Sequence, residues 1–340
     1  MGSLAIDYHG NGIFQPRSYE PIEPGPDEVR IAVAFTGICG TDLKIAHGAM
    51  DQRVTSPWPI GHEMSGTIDS VGSNVADWRS GDHVTVMPLD WCDDCPACDV
   101  GHNHVCHNLD FVGIDSPGSL QQHWNVPARL LVRLPDDVPL EAASLTEPTA
   151  VAVHDVRRGE VKSSDQVVVI GGGPIGLLIS LVATNAGADV LLSEVSAFRR
   201  GLAAKLGLRT VDPTVDTLAE TVHEWTGGRG ADKAFEVSGS LSGVRALTDV
   251  LAVRGRGVIV AIHTDPPPVD FMAVFWKELE LRGARVYERR DFEDAVGLIA
   301  TGVIPVDSLI TDVAPLEDMP KAIERLGSGE EIVKLLVDSR

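Results

Sequence analysis

Residues 166–188, QVVVIGGGPIGLLISLVATNAGA, contain no charged side chain and are long enough to cross a bilayer as a helix. Gly171, Gly172, Gly173 and Pro174 break the run, and Thr184 and Asn185 stand near its end. A buried strand, a tight turn and a buried helix satisfy this pattern better, because clustered Gly and Pro turn a chain rather than continue a helix. The turn then spells Gly171-x-Gly173-x-x-Gly176 between strand and helix. In that setting backbone N–H groups at the helix start face a pyrophosphate. The next apolar run, ADVLLSEV, brings Glu194 to about the expected distance of 20 residues. A carboxylate there would hydrogen-bond both hydroxyls of an adenosine ribose and repel a 2′-phosphate. The pattern predicts a dinucleotide site that favours NAD over NADP, a preference that Arg199 and Arg200 soften.

The same grammar continues past residue 150. QVVVIGG, ADVLLSEV, ADKAFEVSG and RGVIVAI are nearly all apolar, as strands buried on both faces should be, and helical segments such as SAFRRGLAAKLG separate them. This alternation predicts a parallel sheet. From about Leu4 to Pro135 the runs are shorter and punctuated by Gly, Pro and Asp, as in EVRIAVAFTGICG, EMSGTIDSVG and DHVTVMP. They read as an all-β, barrel-like domain. The tail adds helices in DFEDAVGLIATG and DMPKAIERLGSG and a last strand in IVKLLVD. With 340 residues the chain exceeds one ordinary core. Two domains are expected: 1–149, with 286–340 returning to it, and 150–285.

Four of the five cysteines, Cys92, Cys95, Cys98 and Cys106, lie in WCDDCPACDVGHNHVC. Four thiolates at this spacing close a tetrahedral zinc shell with no position left for water. Disulfides suit an exported chain, and MGSLAIDYHG shows no basic start and no apolar core of a secretory signal. A thioredoxin-like unit for a redox pair is not evident, and the spacing lacks the ferredoxin pattern. His102, His104 and His107 read as solvated loop residues. The cluster is therefore a structural staple, and reaction chemistry must come from elsewhere.

Cys39 in GICGTD, His62 and Glu63 in GHE, and Glu147 in TEPT supply another donor set. Singly, Cys39 reads as a small buried residue and His62 as a satisfied core histidine. Together, one thiol, one imidazole and two carboxylates from different loops could form a mixed zinc shell with an open position, which binds and acidifies an alcohol oxygen. The formal charge of −21 disfavours nucleic acid and an anionic membrane surface. A cytoplasmic protein acting on a small molecule is expected.

GICGTD, GHE, the four-cysteine loop, EP, GGGPIG and PLEDMPKAIERL…IVKLLV follow one another over essentially the whole chain. In that order they resemble the zinc-dependent medium-chain dehydrogenases, above all the branch of sorbitol, butanediol and threonine dehydrogenases. The resemblance implies an α/β protein, with a GroES-like β-barrel catalytic domain beside a Rossmann doubly wound parallel sheet, assembled as a homotetramer or homodimer. It implies catalytic zinc on Cys39, His62 and either Glu63 or Glu147, and structural zinc on the four clustered cysteines. It puts Pro174, Ile175, Arg199, Ala284 and Arg285 at the cofactor and Ala261, Ile262 and His263 along its nicotinamide half. Thr41, Glu147 and Tyr287 are expected at the substrate, with Thr41 in proton removal.

The implied reaction is NAD-dependent oxidation of a secondary alcohol, with a polyol or sugar-derived diol first and a threonine-type amino alcohol second. A non-catalytic NAD-binding structural protein is the alternative of another class. It would tolerate a lost ligand, whereas every candidate ligand is present. Two positions depart from the family. Lys44 stands five residues after Cys39, where relatives often carry a proton-relaying histidine, and a lysine with an ordinary pKa of about 10.4 is a poor acceptor at neutral pH. GSLQQHW replaces a GGFAEY-like segment, and its His123 and Trp124 are read as strand residues packing in the barrel.

Overall fold

The ten-residue strand Glu28–Gly37 alternates buried and half-buried positions over its first half and is wholly buried over its second. Its partners explain the change. Glu63–Val71 pairs antiparallel along one edge. The other edge is shared, His123–Pro127 lying against the first half and Lys334–Asp338 against the end. The computed structural model describes residues 2–54, 57–263 and 265–340. Its contacts cluster into two units, Met1–Glu147 with Glu288–Arg340, and Pro148–Tyr287.

In the first unit the main sheet runs Leu131–Arg133, His83–Val86, Glu63–Val71, Glu28–Gly37, Lys334–Asp338, Ile310–Pro315. The last two strands come from the C-terminus, so the final residues of the chain sit beside a central strand of this unit. Val29, Ile31, Val33, Met64, Ile68, Val84, Val86, Trp124 and Val126 form its core. Trp124 is buried there, with its indole N–H donating to Pro117 O at 3.0 Å. His123 pairs through Nδ1 with Ser3 Oγ at 2.9 Å. Both serve packing, as read from the sequence.

The second unit is a six-stranded parallel sheet in the order Arg209–Val211, Asp189–Ser193, Gln166–Ile170, Ala231–Glu236, Leu251–Ile259, Glu280–Gly283. The order reverses direction at Gln166–Ile170, which is where a doubly wound sheet opens a ligand crevice at the strands' carboxyl ends. The uncharged run resolves into that strand and the helix Pro174–Asn185. No helix among the described residues is long and apolar enough to cross a membrane.

Candidate active site and metal centres

Two adjacent strand ends build the first cluster. Gly37 pairs with Glu63 across the sheet. Two residues past Gly37, Cys39 caps the helix Gly40–Ala46 in extended conformation. Asp42 closes a capping box there, its Oδ2 accepting from Cys39 N at 2.8 Å. The other oxygen, Oδ1, lies 3.7 Å from His62 Nδ1. Phe111 meets the His62 ring edge-on, with centroids 5.3 Å apart. A buried carboxylate facing one nitrogen, beyond hydrogen-bond distance, and a ring against its side flank the imidazole. The donor atoms of Cys39, His62 and Glu63 all lie within 4.8 Å of one another.

The charge balance suits a cation. Burial opposes protonation of His62, yet Asp42, the hydrogen bond and charge of Cys39, and Glu147 outweigh it and raise the imidazole pKa to about 10. A thiol, an imidazole and a carboxylate in so electronegative a pocket fit zinc. Lys334 balances part of the charge. Its ammonium pairs with Glu63 Oε2 and donates to Ile38 O at 3.1 Å, with both side chains buried. Burial works against that ammonium, and the carboxylate of Glu63 and the thiol of Cys39 more than compensate, raising its pKa. Space at this point is tight: a Cβ on Gly37 would collide with Glu63 Oε2 and come within 2.9 Å of Lys334 Cε.

Glu147 stands outside the compact three. It is buried at the start of the helix Thr146–Gly159, near enough to bias both His62 and Lys334. Thr41 is half-buried in the first turn after Cys39, and Lys44 is exposed in the last turn of the same short helix. Asp42 and Lys334 had no part in the sequence reading. Asp42 lies inside GICGTD, and Lys334 is the lone cation in the otherwise mostly apolar IVKLLVD, which is a readable signal.

The four clustered sulfurs are free thiols at metal-site spacing. Cys92–Cys106, Cys95–Cys98 and Cys95–Cys106 are 3.4, 3.5 and 3.8 Å apart. Tetrahedral bonds of about 2.3 Å to zinc require sulfurs about 3.8 Å apart. Backbone N–H groups already point at them: Asp94 N to Cys92 at 3.4 Å, Cys92 N and Asn108 N to Cys106 at 3.5 and 3.3 Å. Such donors stabilise thiolates. The pKa of Cys95 is lowered to about 6, chiefly by backbone hydrogen bonds at His107 and Cys98, while burial and the neighbouring thiols push Cys98 up to about 12. His102 and His107 are exposed and His104 half-buried.

In the second unit the expected cofactor residues gather at the carboxyl ends of the strands. Gly171 takes φ +106, and a Cβ there would come within 2.9 Å of Ser238. A Cβ on Gly176 would strike Gly171 O, while one on Gly173 would meet nothing within 4 Å. The first and third glycines thus serve packing, and the second leaves the open surface that a pyrophosphate needs. Pro174 and Ile175 start the helix behind it. Glu194 is buried and spans the turn, Oε2 accepting from Gly172 N at 2.6 Å and Oε1 from Ser196 N at 2.7 Å. Arg200 is committed to Asp212 at 2.7 Å and to Glu194 O at 2.8 Å. Among the described residues, the Arg199 guanidinium keeps only a 4.0 Å approach to Glu194. Ala261, Ile262 and His263 follow Leu251–Ile259, and Ala284 and Arg285 follow Glu280–Gly283. Tyr287, at the end of this unit, is fully buried.

A surface cavity of about 510 Å³ in the first unit, lined by Trp78, Arg129, Arg133 and Arg289, lies apart from this chemistry. Its arginines are engaged by Asp90, Asp82 and Glu293.

Comparison with known proteins agrees with both units. The sequence profile of the alcohol dehydrogenase GroES-like domain matches residues 25–136, and that of the zinc-binding dehydrogenases matches 174–301. The 2-dehydro-3-deoxy-L-galactonate 5-dehydrogenase of Pseudoalteromonas atlantica is 47% identical over 98% of each chain. A zinc-binding dehydrogenase of Sinorhizobium meliloti, solved with NADP, superposes with a TM-score of 0.94 at 30% identity over 99% of each chain. An alcohol dehydrogenase of Escherichia coli CFT073, solved with NADH, gives 0.93 at 26% identity over 99% of each chain. The chain belongs to the zinc-dependent medium-chain dehydrogenases and is an oxidoreductase.

Proposed function

We propose that the chain oxidises a secondary alcohol of a polyhydroxylated acid, using zinc held by Cys39, His62 and Glu63 and NAD bound to the second unit. The observation that carries this reading is the convergence of those three donors within 4.8 Å. The relative named for dehydrogenation at C5 of a deoxy sugar acid, at 47% identity, supports the substrate class. Within that reading, 1–149 with 286–340 is the catalytic domain and 150–285 the NAD-binding domain.

Bound zinc would acidify the alcohol oxygen, and nicotinamide would accept the hydride. The protein's own part is positional. Asp42 places a negative charge beside His62, and Lys334 restrains Glu63. Glu147 is the second carboxylate, available to exchange with Glu63. Thr41 passes the alcohol proton towards solvent. Lys44 is exposed and contributes little, being a poor acceptor at neutral pH. The four-cysteine loop holds a second, structural zinc. Glu194 favours NAD, because Arg200 is already engaged and only Arg199 is left to meet a 2′-phosphate. Ala284 and Arg285 stand at the cofactor in this reading, whereas Tyr287, with no exposed surface, fits a packing role better than substrate contact.

We infer self-association through the second unit. Phe271, Met272, Phe275 and Trp276 are each 70–73% exposed on the helix Phe271–Lys277, beside the edge strand Glu280–Gly283. Two copies covering these side chains would bury on the order of 1,000 Å², the scale of a specific interface. A second copy is the fitting partner, since an edge strand pairs with itself around a two-fold axis. The free cysteines suit a reducing compartment, hence the cytoplasm.

The test is a turnover screen over aldonic acids, 2-keto-3-deoxy acids, polyols and threonine with NAD and NADP. The reading expects the highest kcat/KM for a sugar acid with NAD. A best substrate lacking a carboxylate would overturn the substrate class, and no turnover by the zinc-loaded protein on any alcohol would overturn the reaction.

A further inference from the structure

Glu236 ends the strand Ala231–Glu236 and is completely buried, a costly place for a carboxylate unless donors surround it. One oxygen is saturated. Oε1 accepts from Ser238 N at 3.0 Å, Ser238 Oγ at 2.6 Å and Gly239 N at 3.0 Å. The other, Oε2, faces His263 Nε2 at 3.2 Å, an ion-pair distance without hydrogen-bond alignment, and neither atom has a hydrogen-bond partner among the described residues.

This pair joins two adjacent loops at the ligand end of the sheet. Glu236 and Ile259 are register partners, and Glu236 O accepts from both Val260 N and Ala261 N. The loop after Leu251–Ile259 is therefore tied to Glu236 twice, by backbone at its root and by His263 further along. Ser238 in turn lies against Gly171, so the same carboxylate holds the turn that abuts the glycine fingerprint. Between the two ties stands Ile262, 76% exposed, a large apolar side chain with no protein to cover it. Glu194 lies on one side of the central strand and these loops on the other. A dinucleotide with its adenosine ribose at Glu194 would extend its nicotinamide half over them.

We propose that the Glu236–His263 contact is a positioning latch, which holds Ala261 and Ile262 in the shape that receives the nicotinamide half of the dinucleotide. The proposal rests on the dinucleotide reading above. His263 acts through the loop, as a positioning residue and not a catalytic one. Loss of the latch should cost the nicotinamide half alone.

The probes are NADH and ADP-ribose, titrated calorimetrically into the zinc-loaded wild type, His263→Met and His263→Gln. Methionine keeps the bulk and removes the donor, whereas glutamine restores an N–H. Leaving the buried Oε2 with no polar group facing it predicts NADH affinity about tenfold weaker in His263→Met, ADP-ribose within about twofold, and most of the loss regained in His263→Gln. Unchanged NADH affinity, or equal losses for both ligands, would overturn the latch. If His263→Met does not fold, His263→Ala carries the same comparison. A wild type that binds neither ligand refutes the dinucleotide reading itself, and the latch with it; a wild type that binds both separates the two questions.

Discussion

Lys334, in the last strand of the chain, places its buried ammonium against the carboxylate of Glu63, one of the three converging metal donors. The sheet makes this possible, because Lys334–Asp338 and Glu63–Val71 flank opposite edges of Glu28–Gly37. Removing one partner of a buried pair strands the other charge and costs about 3–5 kcal/mol. Lys334→Met should therefore lose about that much stability in denaturant unfolding. Lys334→Met combined with Glu63→Gln should recover a large part of it. A single variant as stable as wild type would show that the pair carries no such role.

Gly37→Ala probes the same corner by crowding. The added methyl group would displace Glu63 or Lys334, and overpacking typically costs about 1–3 kcal/mol. Loss of metal from the Cys39 site should exceed loss from the four-cysteine loop, measured by metal analysis after dialysis. Equal retention at both sites would argue against it.

Asp155 gives a pH signature. It is buried, neither carboxylate oxygen has a partner among the described residues, and burial raises its pKa well above the usual range. A raised folded pKa means that this group's contribution is fully present below the unfolded value of about 3.9 and is lost as pH rises towards the folded value. Across that window it should erode stability by about 1.4 kcal/mol per pH unit. Asp155→Asn removes the slope and should raise Tm at neutral pH relative to wild type, with the gap closing near pH 4. Parallel profiles for the two proteins would contradict the assignment.

Glu194→Ala tests cofactor choice. With Arg200 held by Asp212, the wild type should prefer NAD, and the variant should shift the ratio of kcat/KM towards NADP by about ten- to a hundredfold, the usual worth of one charged contact. A wild type preferring NADP would mean that Arg199 dominates.

What the sequence made legible was local. The glycine turn, the four-cysteine loop and the change from short punctuated runs to buried strands each lie within a few neighbouring residues, and spacing alone exposes them. Lys334 reaches Ile38 across 296 residues, so no window of sequence could show that contact. Asp42 sits in a motif already noticed, yet its task depends on the angle at which His62 arrives. The pairing of His263 with Glu236 depends on two parallel strands ending side by side, which the β-α alternation predicts only as a class. Phe271–Lys277 is apolar enough to read as core, and its exposure is visible only in three dimensions.

The most direct measurement is zinc per chain in wild type, Cys39→Ser and Cys95→Ser, read by metal analysis beside unfolding and turnover. Two ions are expected in the wild type. Cys39→Ser should keep one, remain folded and lose turnover. Cys95→Ser should chiefly lose stability, because a structural site adds its binding energy to folding. A single zinc in the wild type with the four-cysteine loop intact, or full turnover in Cys39→Ser, would contradict a zinc-based reaction at Cys39, His62 and Glu63.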